Sequence, residues 1–280
     1  MKNLFKTGIY MLFLTLILLW IGAALGGRVG VVIAFIFAFG MNFFSYWYSD
    51  RIVLAIYRAI PVSYHEYPEL HRAVNGLASK MRVPVPRIYM IDHPTPNAFA
   101  TGRDPEHAAV AVTSGILETL TQEELEGVLA HEMAHVKNRD TLIQTVVATI
   151  AGAITMLAYI ARFTAIFGGM GDRDRDGGLI GLLVMSIVAP IAALLIQLAI
   201  SRTREYQADE SGARISGKPY ALANALEKLR AVSRRIPMEV SPNTAHLFIV
   251  NPLQNVGFAT LFSTHPPLED RIARLKSMKI

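Results

Sequence analysis

Two histidines four residues apart flank a glutamate in His131-Glu132-Met133-Ala134-His135. On an α-helix, residues i and i+4 share a face, so both imidazoles can reach one ion. Glu132 stands beside them, where a carboxylate can take a proton from a water that the ion acidifies. This is the H-E-x-x-H pattern of zinc peptidases, whose mechanism needs those residue types at that spacing. The alternative is a chance match, and it weakens if the motif falls on a well-started helix.

A catalytic zinc takes three protein ligands and keeps a further position for water. The metzincin extension would place Gly at position 138 and His at position 141; Asn138 and Thr141 stand there, so the third ligand comes from farther along. Asp140, Glu205, Asp209, Glu210, His246 and His265 are the candidates. Glu205 and Asp209 sit at i, i+4 in Glu205-Tyr206-Gln207-Ala208-Asp209, so one can bind the ion while the other orients a histidine through its ring N–H. The competing reading is a solvated helix face with Arg202 and Arg204 as ion-pair partners. His65, His71, His93, His107 and His246 lack ligand spacing and read as surface or locally hydrogen-bonded residues.

The elements that must position these groups are legible in part. Thr121-Gln122-Glu123-Glu124 is a T-x-x-E capping box opening a helix through Leu125, Val128, Leu129 and Val136, which carries the motif. Upstream, residues 50–141 read as the first part of a catalytic domain. Periodicity predicts a helix from Tyr67 to Met81, a breaker at Val83 to Pro86 and a strand from Arg87 to Ile91. Two more strands, at Asn97 to Thr101 and Ala108 to Thr113, are joined by a polar turn through Gly102 and Asp104. Residues 201–280 form the second part, with Pro266-Pro267 starting a helix through Leu268, Ile272 and Leu275.

Apolar runs without charge interrupt this pattern at residues 8–25, 29–47, 142–160 and 179–200. Each approaches the roughly 20 residues that cross hydrocarbon, and Trp20, Tyr46, Trp47 and Tyr48 suit the interface. Residues 1–49 therefore read as a transmembrane hairpin rather than a cleaved signal peptide. Residues 142–200 read as a second hairpin, richer in Gly, Ala, Thr and Gln and able to shelter against protein, with a glycine-rich linker at residues 168–178. Lys2, Lys6, Arg51, Arg58, Lys137, Arg139, Arg202 and Arg204 lie on one side; Arg28, Arg162, Arg173 and Arg175 lie on the other. The positive-inside rule then makes the catalytic parts cytosolic. Two passes between His135 and Glu205 also return the chain to the side it left, within reach of the histidines.

Composition agrees. Of 280 residues, 52% are hydrophobic, and they are bunched rather than dispersed. There is no cysteine, which excludes disulfides and thiolate zinc sites. The net charge of +5 comes mostly from residues flanking apolar runs or in mixed-sign helices, so no nucleic-acid partner is implied. The fold expected is a multi-pass α-helical membrane protein with a zincin-like (gluzincin) α+β cytosolic catalytic domain.

The segments HEMAHVKNRD, SRTREYQADE and FSTHPPLEDR, with NAFATG upstream, resemble the HtpX family of bacterial membrane zinc peptidases, relatives of the CAAX prenyl proteases and of mitochondrial inner-membrane peptidases. The resemblance spans nearly the whole chain. It implies one Zn²⁺ per subunit held by His131, His135 and Glu205, with Glu132 as general base and Asp209 supporting a ligand. It also implies an endopeptidase of the cytoplasmic membrane that cleaves misfolded or damaged membrane proteins in stress-linked quality control. Zincins lay substrate along an exposed strand edge, and Asn97, Ala98, Phe99 and Ala100 are the candidate edge; an internal strand is the alternative. In the family the His265 loop lies near the active site, where the imidazole could stabilise an oxyanion; capping of the following helix is equally open. A prenyl-protein protease, a silent zinc-binding scaffold and a transporter are the rivals. Glu132 argues against the scaffold, and the single metal cluster against the transporter.

Overall fold

The computed structural model describes residues 2–151, 202–236, 238, 240, 243–250 and 266–279. Most of the second apolar hairpin, including the run at residues 179–200, and His265 lie outside these residues.

Helix α1 (Lys2–Ile56) doubles back at Gly27, where φ 54 and ψ −136 break the helical path in a way open to glycine. The two arms pack backbone to backbone. A Cβ on Gly30 would stand 2.0 Å from the Gly22 carbonyl oxygen, so only glycine fits there. Farther along, the Asn42 side-chain amide donates to Thr15 Oγ1 at 2.9 Å across the arms. Phe5, Trp20, Val29, Phe39 and Phe44 stand exposed on the outside. The arm from Gly27 to Ile56 is long and apolar enough to cross a membrane. It runs past the expected boundary near residue 49, because Val53 and Leu54 are buried against Phe99, Ala109 and Ala111 of the catalytic domain.

That domain is built on a sheet of β1 (Ile60–Pro61), β2 (Arg87–Ile91), β3 (Ala98–Thr101) and β4 (Ala109–Thr113), in the order β1-β2-β4-β3. β2 and β4 are parallel, with Arg87 opposite Ala109; β3 and β4 are antiparallel, with Ala98 opposite Val112. Among the described residues β3 is an outer strand of this sheet. Side chains alternate between faces. Ile88, Met90, Val110 and Val112 face a core with helices α2 (Pro68–Met81) and α4 (Gln122–Asn138); Ile91, Phe99, Ala109 and Ala111 face the end of α1. The short strand β1 and helix α3 (Ser114–Thr119) carry no period long enough to read from sequence.

Helix α4 starts as expected: Thr121 Oγ1 accepts from the Glu124 amide and the Glu124 carboxylate accepts from the Thr121 amide. It ends at Arg139, a left-handed residue (φ 58) that turns the chain directly into α5 (Asp140–Ala151), the described part of the third apolar run. Leu142, Val146 and Ile150 of α5 pack on Leu14 and on Met11, Leu18 and Met41 of α1. The catalytic helix and the apolar hairpin are therefore one turn apart. Helices α6 (Arg202–Ser216), α7 (Pro219–Ser233) and α8 (Leu268–Ser277) complete the fold, with α6 crossing α4 most closely.

Candidate metal centre

The crossing of α4 and α6 fixes the site. A Cβ on Gly212 would lie 2.8 Å from the His131 amide nitrogen and 2.9 Å from the Ala130 carbonyl carbon, so the backbones touch where Gly212 stands. Glu205 and Asp209 occupy the same face of α6, two turns and one turn earlier respectively. The contact therefore lays both carboxylates across the motif.

His131, His135 and Glu205 are 0%, 4% and 1% exposed, which removes the solvated-face reading of α6. The rings meet edge to face, with centroids 4.8 Å apart. Glu205 Oε2 lies 3.8 Å from His131 Nε2, and its Oε1 lies 3.5 Å from His135 Nε2. One ligand atom from each of the three residues falls within 4.8 Å of the others. Bonds near 2.1 Å at tetrahedral angles put ligand atoms roughly 3.4 Å apart, so this donor set fits zinc.

The outward nitrogens are held too. His131 Nδ1 faces Asp209 Oδ1 at 2.9 Å, and His135 Nδ1 faces Asp140 Oδ2 at 3.3 Å. A carboxylate on Nδ1 fixes the tautomer that offers Nε2 to a metal. Of the other candidates for third ligand, Asp140 takes this supporting place. Glu210 pairs with Arg214 at 3.0 Å and stays exposed.

Sequence reasoning missed Arg271. It is fully buried, and its guanidinium grips Asp209 with two bonds, Nε to Oδ2 at 2.8 Å and a terminal nitrogen to Oδ1 at 2.7 Å. The same terminal nitrogen is 3.4 Å from both ring nitrogens of His131, a packing contact rather than a directed bond. The other terminal nitrogen donates to the Ile249 carbonyl at 3.1 Å. In sequence Arg271 is a polar position on a short amphipathic helix, with no local sign of burial. His246 also departs from expectation: it is buried, joins Gln144 in lining the pocket beside His131, His135 and Glu205, and donates from Nε2 to the Gln144 carbonyl at 3.3 Å.

Burial and charge set protonation. Burial pulls His131 down to about 4, against the raising effect of Asp209. Burial also opposes the charged form of His135, but the Asp140 hydrogen bond and the charges of Glu205 and Glu132 outweigh it and raise the group to about 9. Glu132, 2% exposed, is pushed up to about 8 by burial, with the Glu205 charge adding to the rise, while the Ala100 amide donates to it. Burial disfavours the Asp209 carboxylate as well, yet the Arg271 guanidinium holds it down at about 2. Arg271 sits closest to Asp209 and also lies 3.8 Å from Glu205 Oε2, so one guanidinium faces more than one carboxylate of the site.

Comparison with known proteins fits this chemistry. Residues 65–279 match the model of peptidase family M48. A "Protease HtpX homolog" from Desulfatibacillum aliphaticivorans is 57% identical over 277 residues, covering 98% of this chain and 89% of the relative. One from Pyrococcus furiosus is 57% identical over 275 residues, covering 98% of this chain and 95% of the relative. Among solved structures, S. mikatae Ste24p superposes with a TM-score of 0.53 at 19% identity, over 96% of this chain and 62% of Ste24p, which is a likeness of fold. The family match over three quarters of the sequence and the near full-length identity to HtpX homologues mean that this chain belongs to peptidase family M48, as a metallopeptidase.

Proposed function

We propose that this chain is a zinc-dependent endopeptidase of the cytoplasmic membrane that hydrolyses peptide bonds of misfolded or damaged membrane proteins on the cytosolic side. One observation carries the chemistry: three buried ligand atoms converge, and burial raises the proton affinity of the carboxylate on the same helix turn, as a general base needs. Zinc, held by His131, His135 and Glu205, would supply a Lewis acid that acidifies water and polarises the scissile carbonyl. Glu132 accepts the proton of the attacking water and returns it to the leaving amine. Asp209 and Asp140 keep both imidazoles in the tautomer that faces the ion. His265 remains the proposed oxyanion stabiliser.

The substrate class rests on position. Gln144 lines the metal pocket from the first turn of α5, and Ile150, about 9 Å farther along that helix, already packs on α1. Polypeptide emerging from a bilayer passes close to such a site. The outer edge of β3, Asn97 to Ala100, is the proposed docking strand, since the Ala100 amide already reaches Glu132. The test is cleavage of an unfolded polypeptide by the full chain in detergent. Wild type should cut in a chelator-sensitive way and Glu132→Gln should not; equal cutting by both would sink the reading.

A further inference from the structure

A peptidase must admit an extended peptide beside its metal, yet here the space beside the histidines is small. The cavity lined by His131, Glu132, His135 and Glu205 on one side and His246, Leu247, Phe248 and Ile249 on the other measures about 10 Å³. That is room for about one water molecule. The closing wall is the chain's own segment at residues 244–250.

This segment uses the groups a substrate would need. In an antiparallel pair, alternate residues of an edge strand turn their peptide groups outward. The Thr113 amide donates to the Asn97 carbonyl, so the peptide groups of Ala98 and Ala100 face the open edge. The Ala100 amide goes to Glu132. The Ala98 carbonyl accepts the Ile249 amide at 3.1 Å. Beside it, the Asn97 side chain donates to the Val250 carbonyl at 2.8 Å and accepts from the Val250 amide at 3.5 Å. All the segment's groups in these bonds are main-chain, so any extended peptide can replace them like for like. Its other anchors include the Arg271 bond to the Ile249 carbonyl at 3.1 Å, the contact of His246 Nε2 with the Gln144 carbonyl at 3.3 Å and the burial of its side chains, all of which an entering strand must displace. Phe248 packs edge-on against Tyr57 and Phe99, with centroids 5.0 and 5.2 Å apart, and Thr244 shares a hydrogen bond with the Tyr57 hydroxyl.

We infer that residues 244–250 form a displaceable strap, which occupies the peptide groove of the metal site and holds the enzyme self-inhibited until a substrate strand takes its place on β3. Resting on the peptidase reading above, this adds its regulation. The strap sets the threshold for entry: a folded protein offers no free strand to exchange for it, whereas a disordered one does. Selection for misfolded chains is then built into the groove.

The test follows amide exchange in the full-length, zinc-loaded Glu132→Gln protein in detergent, with and without saturating β-casein as the unfolded polypeptide. Bound casein should accelerate exchange in residues 244–250 by about tenfold or more, as expected for a segment released from its hydrogen bonds. Casein that binds while these amides stay equally protected overturns the strap. Turnover gives a second arm. Ile249→Pro deletes the donor to Ala98 and should lower KM for casein about fivefold, the order of one net hydrogen bond, provided that the variant keeps its zinc. Phe248→Ala should act in the same direction if it folds and retains zinc. If wild type cuts casein and Ile249→Pro cuts no more readily, the strap alone fails. If neither cuts better than Glu132→Gln, the peptidase reading fails with it.

Discussion

The two histidines of the motif are supported in different ways. His131 leans on Asp209 from α6, which is gripped in turn by the buried Arg271 of α8, so its orientation depends on three helices distant in sequence. His135 leans on Asp140, five residues ahead, and its surroundings continue into Gln144 on the helix that packs against the apolar hairpin. One half of the site is thus locked into the core of the α/β part, and the other is tied to the apolar helix that packs on α1. The electrostatics follow the same division. An arginine beside His131 helps keep that imidazole neutral, whereas the carboxylates around His135 favour its proton. The His131 half is the template, held by contacts among α4, α6 and α8; the His135 half depends on where α5 lies.

The most damaging change should be on the template side. Arg271→Ala leaves Asp209 buried without its partner, a defect that typically costs about 3–5 kcal/mol. It should lower the unfolding midpoint by several degrees and reduce zinc content, as measured by thermal melts and elemental analysis. Little change in either would mean that Asp209 is held by something other than Arg271.

A smaller effect sharpens the contrast. Removing a carboxylate that orients a ligand histidine generally weakens metal binding by about 10–100-fold. Asp209→Asn should fall near the upper end, because its contact is shorter and part of a network. Asp140→Asn should fall near the lower end. Chelator competition on the two variants gives the ranking directly, and the reverse order would refute the template assignment.

The last expected effect is on pH and needs no mutation. Metal binding needs both imidazoles neutral. His131, held near 4, is already neutral at pH 7; His135, raised to about 9, is below its pKa there and carries a proton the metal must displace. Zinc affinity should therefore rise by about tenfold per pH unit from 7 towards 9 and then level off. Calorimetry in buffers of different ionisation heat would count the released proton, and a flat affinity over that range would remove the asymmetry.

What the sequence revealed divides along the same line. The capping box at Thr121, the strands and the motif spacing are local patterns, and each appears where expected. Asp140 was visible as an acidic neighbour of the motif, though not its pairing with His135. Arg271 and Gly212 were not legible, and His246, named only as a candidate ligand by residue type, gave no sign of its burial. Each matters only because segments far apart converge, and nothing in the residues around them signals burial. A buried arginine on a mostly polar helix reads as a solvated one until its partner is known. The glycine at a helix crossing reads as a weak helix former until the second helix is in place.

The central claim is that His131, His135 and Glu205 hold the ion while Glu132 does the proton chemistry. The most direct check is zinc content per chain for Glu205→Ala beside Glu132→Gln, in protein purified and reconstituted identically. The account predicts that Glu205→Ala loses most of its zinc while Glu132→Gln keeps about one ion per chain, both being inactive. Full zinc in Glu205→Ala, or loss of zinc in Glu132→Gln, would contradict it.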